Sequence, residues 1–456
     1  MKSHACRIIF MAATTAWASA SSGGAIENRD ALDIALGIAV APPPDEATAA
    51  QRSDRLTLNV GDGYTYDNNI YRLPANVDLA TLPGIGANPS RQDSIDTVSA
   101  GLDGEWLTGA RQSVDVDLSA NYNRFFQNTD LSNVSSQDSA AWNWGLGDSL
   151  SGKIGADYNR LFGGFANTQV YSRDMINHTD YYASMRYQVG PRWGIFGGVL
   201  GSNYSLSSAQ ATYNNSSTKS FDGGFDFTTE QNRIGFDYRY NDSRAPNAAE
   251  LNGVVFQPDY REDRARVLLR YALSEKTIID ASAGYLKRDY PSAAIGSFSG
   301  EIWRAALQWQ PTPKTQLLVG VWQQLDADLT SQTDYFVDKG ESLTPQWVAS
   351  EKLTFSAIIS HETENYVGSN PVGPIPIDFV AQARHDTLTS ETASLVYTPI
   401  QAIILTFSAG HVRRSSNISS TATSVPATSS SSPFDYNDIQ GTVNITYRFF
   451  RLGENL

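Results

Sequence analysis

From Leu56 onward the chain is a succession of short segments in which apolar and polar residues alternate, and the gaps between segments are by turns very short and long. Val114 to Tyr122 reads V-D-V-D-L-S-A-N-Y. Val114, Val116, Leu118, Ala120 and Tyr122 fall on one face and Asp115, Asp117, Ser119 and Asn121 on the other, because a strand turns successive side chains to opposite sides. The same pattern predicts strands near 55–72, 92–107, 111–128, 138–150, 152–166, 178–189, 192–206, 218–230, 231–243, 260–273, 276–290, 299–310, 314–328, 334–347, 351–366, 385–398, 401–416 and 434–450. Tight links rich in Gly, Pro and Ser, such as Thr108-Gly109-Ala110, Gly190-Pro191 and Pro311-Thr312-Pro313, alternate with longer connections at 73–91, 129–137, 167–177, 207–217, 244–259, 291–298, 329–333, 367–384 and 417–433. That strict alternation is up-and-down topology, with turns on one rim and loops on the other; the Greek-key links of a soluble sandwich would break it. The expectation is an all-β transmembrane antiparallel β-barrel of about 18 strands, both ends at the short-turn rim. Gly340 and Pro345 make 334–347 the weakest segment, and its loss together with a neighbour would give 16.

Composition changes the picture in one respect. A mean hydropathy of -0.32 with 41% hydrophobic residues would suit a soluble protein, yet in a barrel only every second residue meets lipid. No stretch after the N-terminus has the roughly eighteen consecutive apolar residues of a membrane helix. Residues 1–20 carry Lys2 and Arg7, an apolar run and Ala18-Ser19-Ala20, the order of a secretory signal peptide, so the expected location is the outer membrane of a Gram-negative bacterium. Cleavage there removes the single cysteine, Cys6, and takes the formal charge from -14 to -16; thiol chemistry and nucleic-acid partners are thereby set aside. Residues 21–54 hold the apolar stretch Ala31 to Ala41 and Pro42-Pro43-Pro44, and read as a periplasmic tail or a plug in the barrel mouth. The barrel is expected over 55–450, with 451–456 as a periplasmic tail.

Aromatic positions fit a lipid band with girdled rims. Trp303 and Trp309 share the oily face of one segment, about 20 Å apart at roughly 3.3 Å per residue; Trp142 and Trp144 are read as near the loop end of theirs, and Trp106 near the turn end of its own. The opposite faces carry the candidate lumen residues. Asp115, Asp117, Asn121 and Asn123, then Asp157 and Asn159, make one wall acidic and amide-rich; Arg233 and Arg239, then Arg264, Arg266 and Arg270, then Arg304 make another basic. Opposed charges would set a transverse field that orients polar solutes. Alternatively, cross-strand ion pairs, Asp237 with an arginine on the next strand for example, satisfy one another inside a wet barrel. Asn121, Asn123, Asn159, Arg264, Arg266 and Gln308 are candidates for hydrogen bonds to hydroxyl groups. His178, His361, His385 and His411 show no metal-ligand spacing, and no nucleophile elbow or phosphate loop occurs, so no enzyme activity, metal or cofactor is expected.

Five segments bear a family resemblance: Y-D-N-N-I-Y-R-L at Tyr66 to Leu73, R-Q-D-S-I at Arg91 to Ile95, W-N-W-G-L-G-D-S-L-S-G at Trp142 to Gly152, L-K-R-D-Y at Leu286 to Tyr290, and W-R-A-A-L-Q-W-Q-P-T-P from Trp303. Through them the chain resembles the EpsL family, outer-membrane β-barrels associated with exopolysaccharide synthesis and export and related to a broader group of β-barrel porins. The resemblance implies export or surface retention of an exopolysaccharide chain, in company with periplasmic polysaccharide-export components. The barrel reading adds outer-membrane lipid, lipopolysaccharide and the barrel-assembly machinery as partners. Two rival functions stand beside it: a general diffusion porin for small polar solutes, and a surface lectin using the loops 73–91 and 367–384.

Overall fold

The computed structural model describes residues 54–452 apart from 83, 167–170, 209–214, 248, 252–253, 257, 292–295, 328–334, 368–383 and 419–433. The expected signal peptide and nearly all of 21–54 lie outside the described residues. In chain order the strands are β1 (Arg55–Asp67), β2 (Asp93–Gly109), β3 (Gln112–Phe125), β4 (Asn133–Leu146), β5 (Leu150–Phe162), β6 (Met175–Val189), β7 (Trp193–Leu206), β8 (Ser216–Thr228), β9 (Arg233–Arg244), β10 (Ala249–Leu251), β11 (Val254–Phe256), β12 (Tyr260–Ser274), β13 (Thr277–Asp289), β14 (Phe298–Thr312), β15 (Thr315–Ala327), β16 (Tyr335–Ser350), β17 (Leu353–Val367), β18 (His385–Ile400), β19 (Ile403–Ser416) and β20 (Tyr436–Leu452).

All but β10 and β11 form one 18-stranded sheet in which each strand pairs antiparallel with its neighbour in sequence. β1 pairs with both β2 and β20, so the wall closes and no edge is left with unpaired backbone groups, the condition for crossing hydrocarbon as a sheet. β10 and β11 make a small separate hairpin inside the β9–β12 connection, an element the alternation did not signal. The short turns include Gly147 and Gly190 at positive φ (59° and 68°), a conformation that glycine adopts without steric cost. Both β1 and β20 have their outer ends at this short-turn rim, as expected, although β20 continues to Leu452 rather than ending at 450. The weak segment at 334–347 is β16, and the count is eighteen.

Two boundaries differ from expectation by as much as five residues, each for a physical reason. β1 stops at Asp67 rather than 72, because Asn69 and Arg72 fold back on it: the Asn69 amide and the Arg72 guanidinium both donate to the Asp67 carboxylate. β4 begins at Asn133 rather than 138. Here Ser135, Ser136 and Gln137 put polar side chains on both faces, so this end of the strand lacks the alternation of the oily band.

The alternation sorts cleanly into faces. Tyr122, Ile154, Met185, Ile195, Phe225, Val267 and Phe407 belong to a belt of exposed large apolar side chains on the outer surface, whereas Asp222, Asp237, Arg239 and Arg266, between them in sequence, point inward and are buried. Trp106, Trp142, Trp144, Trp303 and Trp309 all lie on the outer face. Trp106 pairs across the sheet with Val114, and Val114 with Trp142, which aligns the indoles in one row. That row is at the short-turn rim: Trp142 and Trp144 precede the tight turn at 147–149, so their expected place near the loop end is corrected. The reading had measured position against a strand placed several residues too late. Glycines seat these rings; a Cβ at Gly104 would overlap the Trp106 indole and one at Gly152 the Trp144 indole.

Candidate functional site: a charged lumen and a bridged mouth

The inner wall is charged in two sectors. Asp115, Asp117, Asn121 and Asn123 on β3 and Asp157 and Asn159 on β5 face inward, and Arg304 and Gln308 on β14 do the same from the other side. Counted round the ring, β3 and β14 are nine strands apart in either direction, so these two faces stand diametrically opposed, whereas β9, at the near end of the basic wall, is only four strands from β5. Arg233 and Arg239 on β9 and Arg264, Arg266 and Arg270 on β12 complete the basic sector.

That basic sector is an ion-pair ladder. Arg266 binds Asp237, its register partner on β9, at 2.7 Å; Arg239 binds Asp222 at 3.0 Å, Arg270 binds Asp280 at 3.2 Å and Arg288 binds Glu262 at 2.5 Å. Asp226 takes both Arg186 and Arg233, at 2.6 and 2.5 Å. The cross-strand alternative is therefore the arrangement for most of these arginines. Removing guanidinium and carboxylate together from water is costly, and only such close, multiply bonded geometry offsets it. The acidic sector is built from weaker contacts. Asp103 accepts from the Asn59 amide at 2.7 Å, Asp115 from the Asn143 amide, and Asn123 donates to Asn133 at 3.0 Å and accepts from Thr97 at 3.0 Å. Lys153, a cation of this sector, lies over the Tyr182 ring, 5.6 Å from its centroid.

The carboxylate partners Asp222, Asp226, Glu262 and Asp280 were missed from sequence, although the signal was present: Asp222 and Asp226 alternate with outward Phe221 and Phe225. His178 is buried and inward, with Nε2 2.8 Å from the Ser202 hydroxyl and 3.1 Å from Asp180. One ring nitrogen meets both groups, so the serine and the carboxylate are not relayed through opposite sides of the imidazole as a nucleophilic triad requires. His361 and His385 are exposed and His411 half-buried on three other strands, bonded to Thr389, Asn365 and Asn437.

The long-loop mouth was not legible at all. Three connections, 68–92, 126–132 and 163–174, share one apolar core of Ile70, Tyr71, Leu73, Phe125, Leu131, Phe165 and Tyr171. Asp93 stitches the core to β2 by accepting from the backbone amides of Phe126, Gln127 and Asn128 at 2.7–3.0 Å. From the end of β5, residues 163–166 then reach across the opening. Ala166 packs on Leu388, Val412 and Tyr436, the inward faces of β18, β19 and β20, and its carbonyl accepts from Arg414 at 2.9 Å. β19 is six strands round the wall from β5, so this contact spans the mouth rather than following it. Arg414 is itself held by Asp386 and Glu364, at 2.8 and 2.6 Å. Arg72, at φ 53°, is clamped by Asp67 and Asp438 at 3.1 and 3.0 Å; burial opposes its charge, but the two carboxylates outweigh that and hold its pKa above the usual arginine value. Burial pushes the Tyr171 phenol up to about 12.

Residues 259–428 match the family model described as "Putative beta-barrel porin 2". Among solved structures the chain is similar to OccK2 (OpdF) of Pseudomonas aeruginosa, with 10% identity over 88% of this chain and 98% of that one and a TM-score of 0.45. A BenF-like porin from Pseudomonas fluorescens Pf-5 gives 11% identity over 87% and 98%, with a TM-score of 0.45; OpdQ of Pseudomonas aeruginosa gives 9% over 88% and 100%, with 0.46. A comparison with curated proteins returns no match.

Proposed function

We propose that this porin-like outer-membrane barrel is a passive diffusion channel for small polar solutes, with a preference for cations. The observation that carries it is the closed 18-stranded wall with charged inner faces, narrowed at one mouth by a connection pinned across it. Barrels of roughly sixteen to eighteen strands enclose an aqueous channel. The cation preference follows from how the charges are used. Most arginines of one sector are paired with their own carboxylates, while on the other side Asp115 accepts from an amide and Asp103 and Asp117, bonded to an amide and to each other, keep at least one negative charge between them, with no guanidinium among these contacts. Such a field concentrates cations along the acidic wall.

Export of a polysaccharide, implied by the EpsL resemblance, gains less support: a connection tied across the opening hinders a continuous chain more than it hinders a monosaccharide. The lectin reading loses one of its surfaces, since Leu73, Val77, Leu79, Leu82 and Ile85 pack into the mouth core, and 368–383 lies outside the described residues. Liposome swelling tests the proposal. Proteoliposomes should swell at rates that fall steeply with solute size from mono- to trisaccharide; no swelling with any sugar, together with loss of surface polymer on gene deletion, would reinstate export.

A further inference from the structure

The outer face carries a depression that the channel does not use. Along the short-turn rim of β7, β8 and β9, Trp193, Ile195, Phe225 and Phe236 wall a groove of about 580 Å³ whose floor is the backbone of Gly223 and Gly224. It exists because one transverse row lacks bulk. Gly197 and Gly223 are register partners, flanked by Met185 on β6 and Tyr238 on β9, whereas the next row toward the rim reads Tyr187, Ile195, Phe225 and Phe236. The walls are pre-ordered by ring contacts: Trp193 with Phe227 at 5.1 Å, and Phe225 with Phe236 at 5.9 Å. From the glycine row to Trp193 the groove runs about 13 Å at roughly 3.3 Å per residue. At its open end, in the turn 190–192, the Arg192 guanidinium lies 5.9 Å from the Phe227 ring centroid and forms no ion pair among the described residues; Glu230 follows in the next turn of that rim, while Asp226 faces inward and is taken by Arg186 and Arg233.

We infer that this groove holds one phospholipid of the periplasmic leaflet, an acyl chain lying along Gly223 between the aromatic walls and the phosphate against Arg192. The rim is the one bearing the short turns and the ends of β1 and β20, which places it at that leaflet. An apolar slot continuous with the oily belt and topped by a cation matches the two ends of a phospholipid, buried hydrocarbon and anionic headgroup. A second copy of the barrel would need a broad self-complementary face of roughly 800 Å² per partner, and a slot three strands wide does not supply it.

Native mass spectrometry of the detergent-solubilised barrel with dioleoylphosphatidylglycerol tests this. Wild type should retain a single lipid through detergent removal, and dioleoylglycerol, which lacks the phosphate, should be held about tenfold less. Gly223→Leu fills the groove, and the position takes a side chain without backbone contact closer than 3.9 Å; it should lose about tenfold in retained lipid, as should Arg192→Glu. Heat-modifiable electrophoretic mobility shows whether each variant is folded. Equal retention by wild type and a folded Gly223→Leu overturns the inference, as does a dimer that this substitution dissolves, or a wild type that retains no lipid.

Discussion

Arg414 is the residue on which the bridged mouth turns, since it joins Ala166 to carboxylates on β17 and β18. Arg414→Ala would leave Asp386 and Glu364 buried with one partner fewer, a loss of about 3–5 kcal/mol for a broken buried pair, and would free Ala166. Single-channel conductance in planar bilayers should then rise by roughly twofold or more; an unchanged conductance would mean that the connection does not narrow the path. A second residue-scale prediction concerns alkali. The raised phenol of Tyr171 stays neutral in the folded mouth, so its contribution is complete below the unfolded value near 10 and is lost as pH rises through about 12. Tyr71, bonded to Asn128 at 2.9 Å, is raised in the same direction by burial and by Asp130 and Asp93. Conductance should therefore increase reversibly between about pH 10 and 12, and Tyr171→Phe should diminish the step. The motif residues of Tyr66 to Leu73 and Arg91 to Ile95 prove to be the ties of this mouth. As sequence they carried a resemblance; as structure they carry a joint.

At the scale of elements, strand positions were legible because burial against lipid on one face and water on the other imposes a period of two, and this holds for every barrel strand. β16 was the weak reading since Gly340 and Pro345 look like breaks. Gly340 is instead a socket: a Cβ there would overlap the inward Trp322 indole, so the absent side chain is filled by a neighbour's ring. Pro345 sits opposite Leu317 on β15, while no β17 residue is registered against it, so the missing amide costs little pairing there. What did not show was any contact made between loops, because long-range packing leaves no periodic trace. The ladder was half visible, its arginines recognised and most of its carboxylates not. Within it, Asp237→Ala removes the partner of Arg266 and should lower stability by about 3–5 kcal/mol, read as a drop in the temperature at which the folded band is lost on electrophoresis. Closure can be checked separately. Tyr64 and Val443 are register partners of β1 and β20, and in a Cys6→Ser background a Tyr64→Cys/Val443→Cys variant should cross-link on oxidation; a chain that stays reduced argues against the joined wall.

For the molecule as a whole, the proposed channel takes its sign from the unequal compensation of the two charged sectors. In a salt gradient the reversal potential should show potassium favoured over chloride, and the Asp115→Asn/Asp117→Asn double variant should reduce that ratio by roughly twofold or more, an effect that fades as ionic strength rises and the Debye length shrinks below about 8 Å. Chloride selectivity in the wild type would contradict the charge assignment.

The joint between β1 and β20 has a temporal corollary. Partners such as Leu56 and Leu452 stand at opposite extremes of the translated barrel, so no partial set of staves, however well paired, can become a sealed ring before the final one arrives. Until then two raw borders are open to mispairing, and only arrival of the last stave removes that exposure.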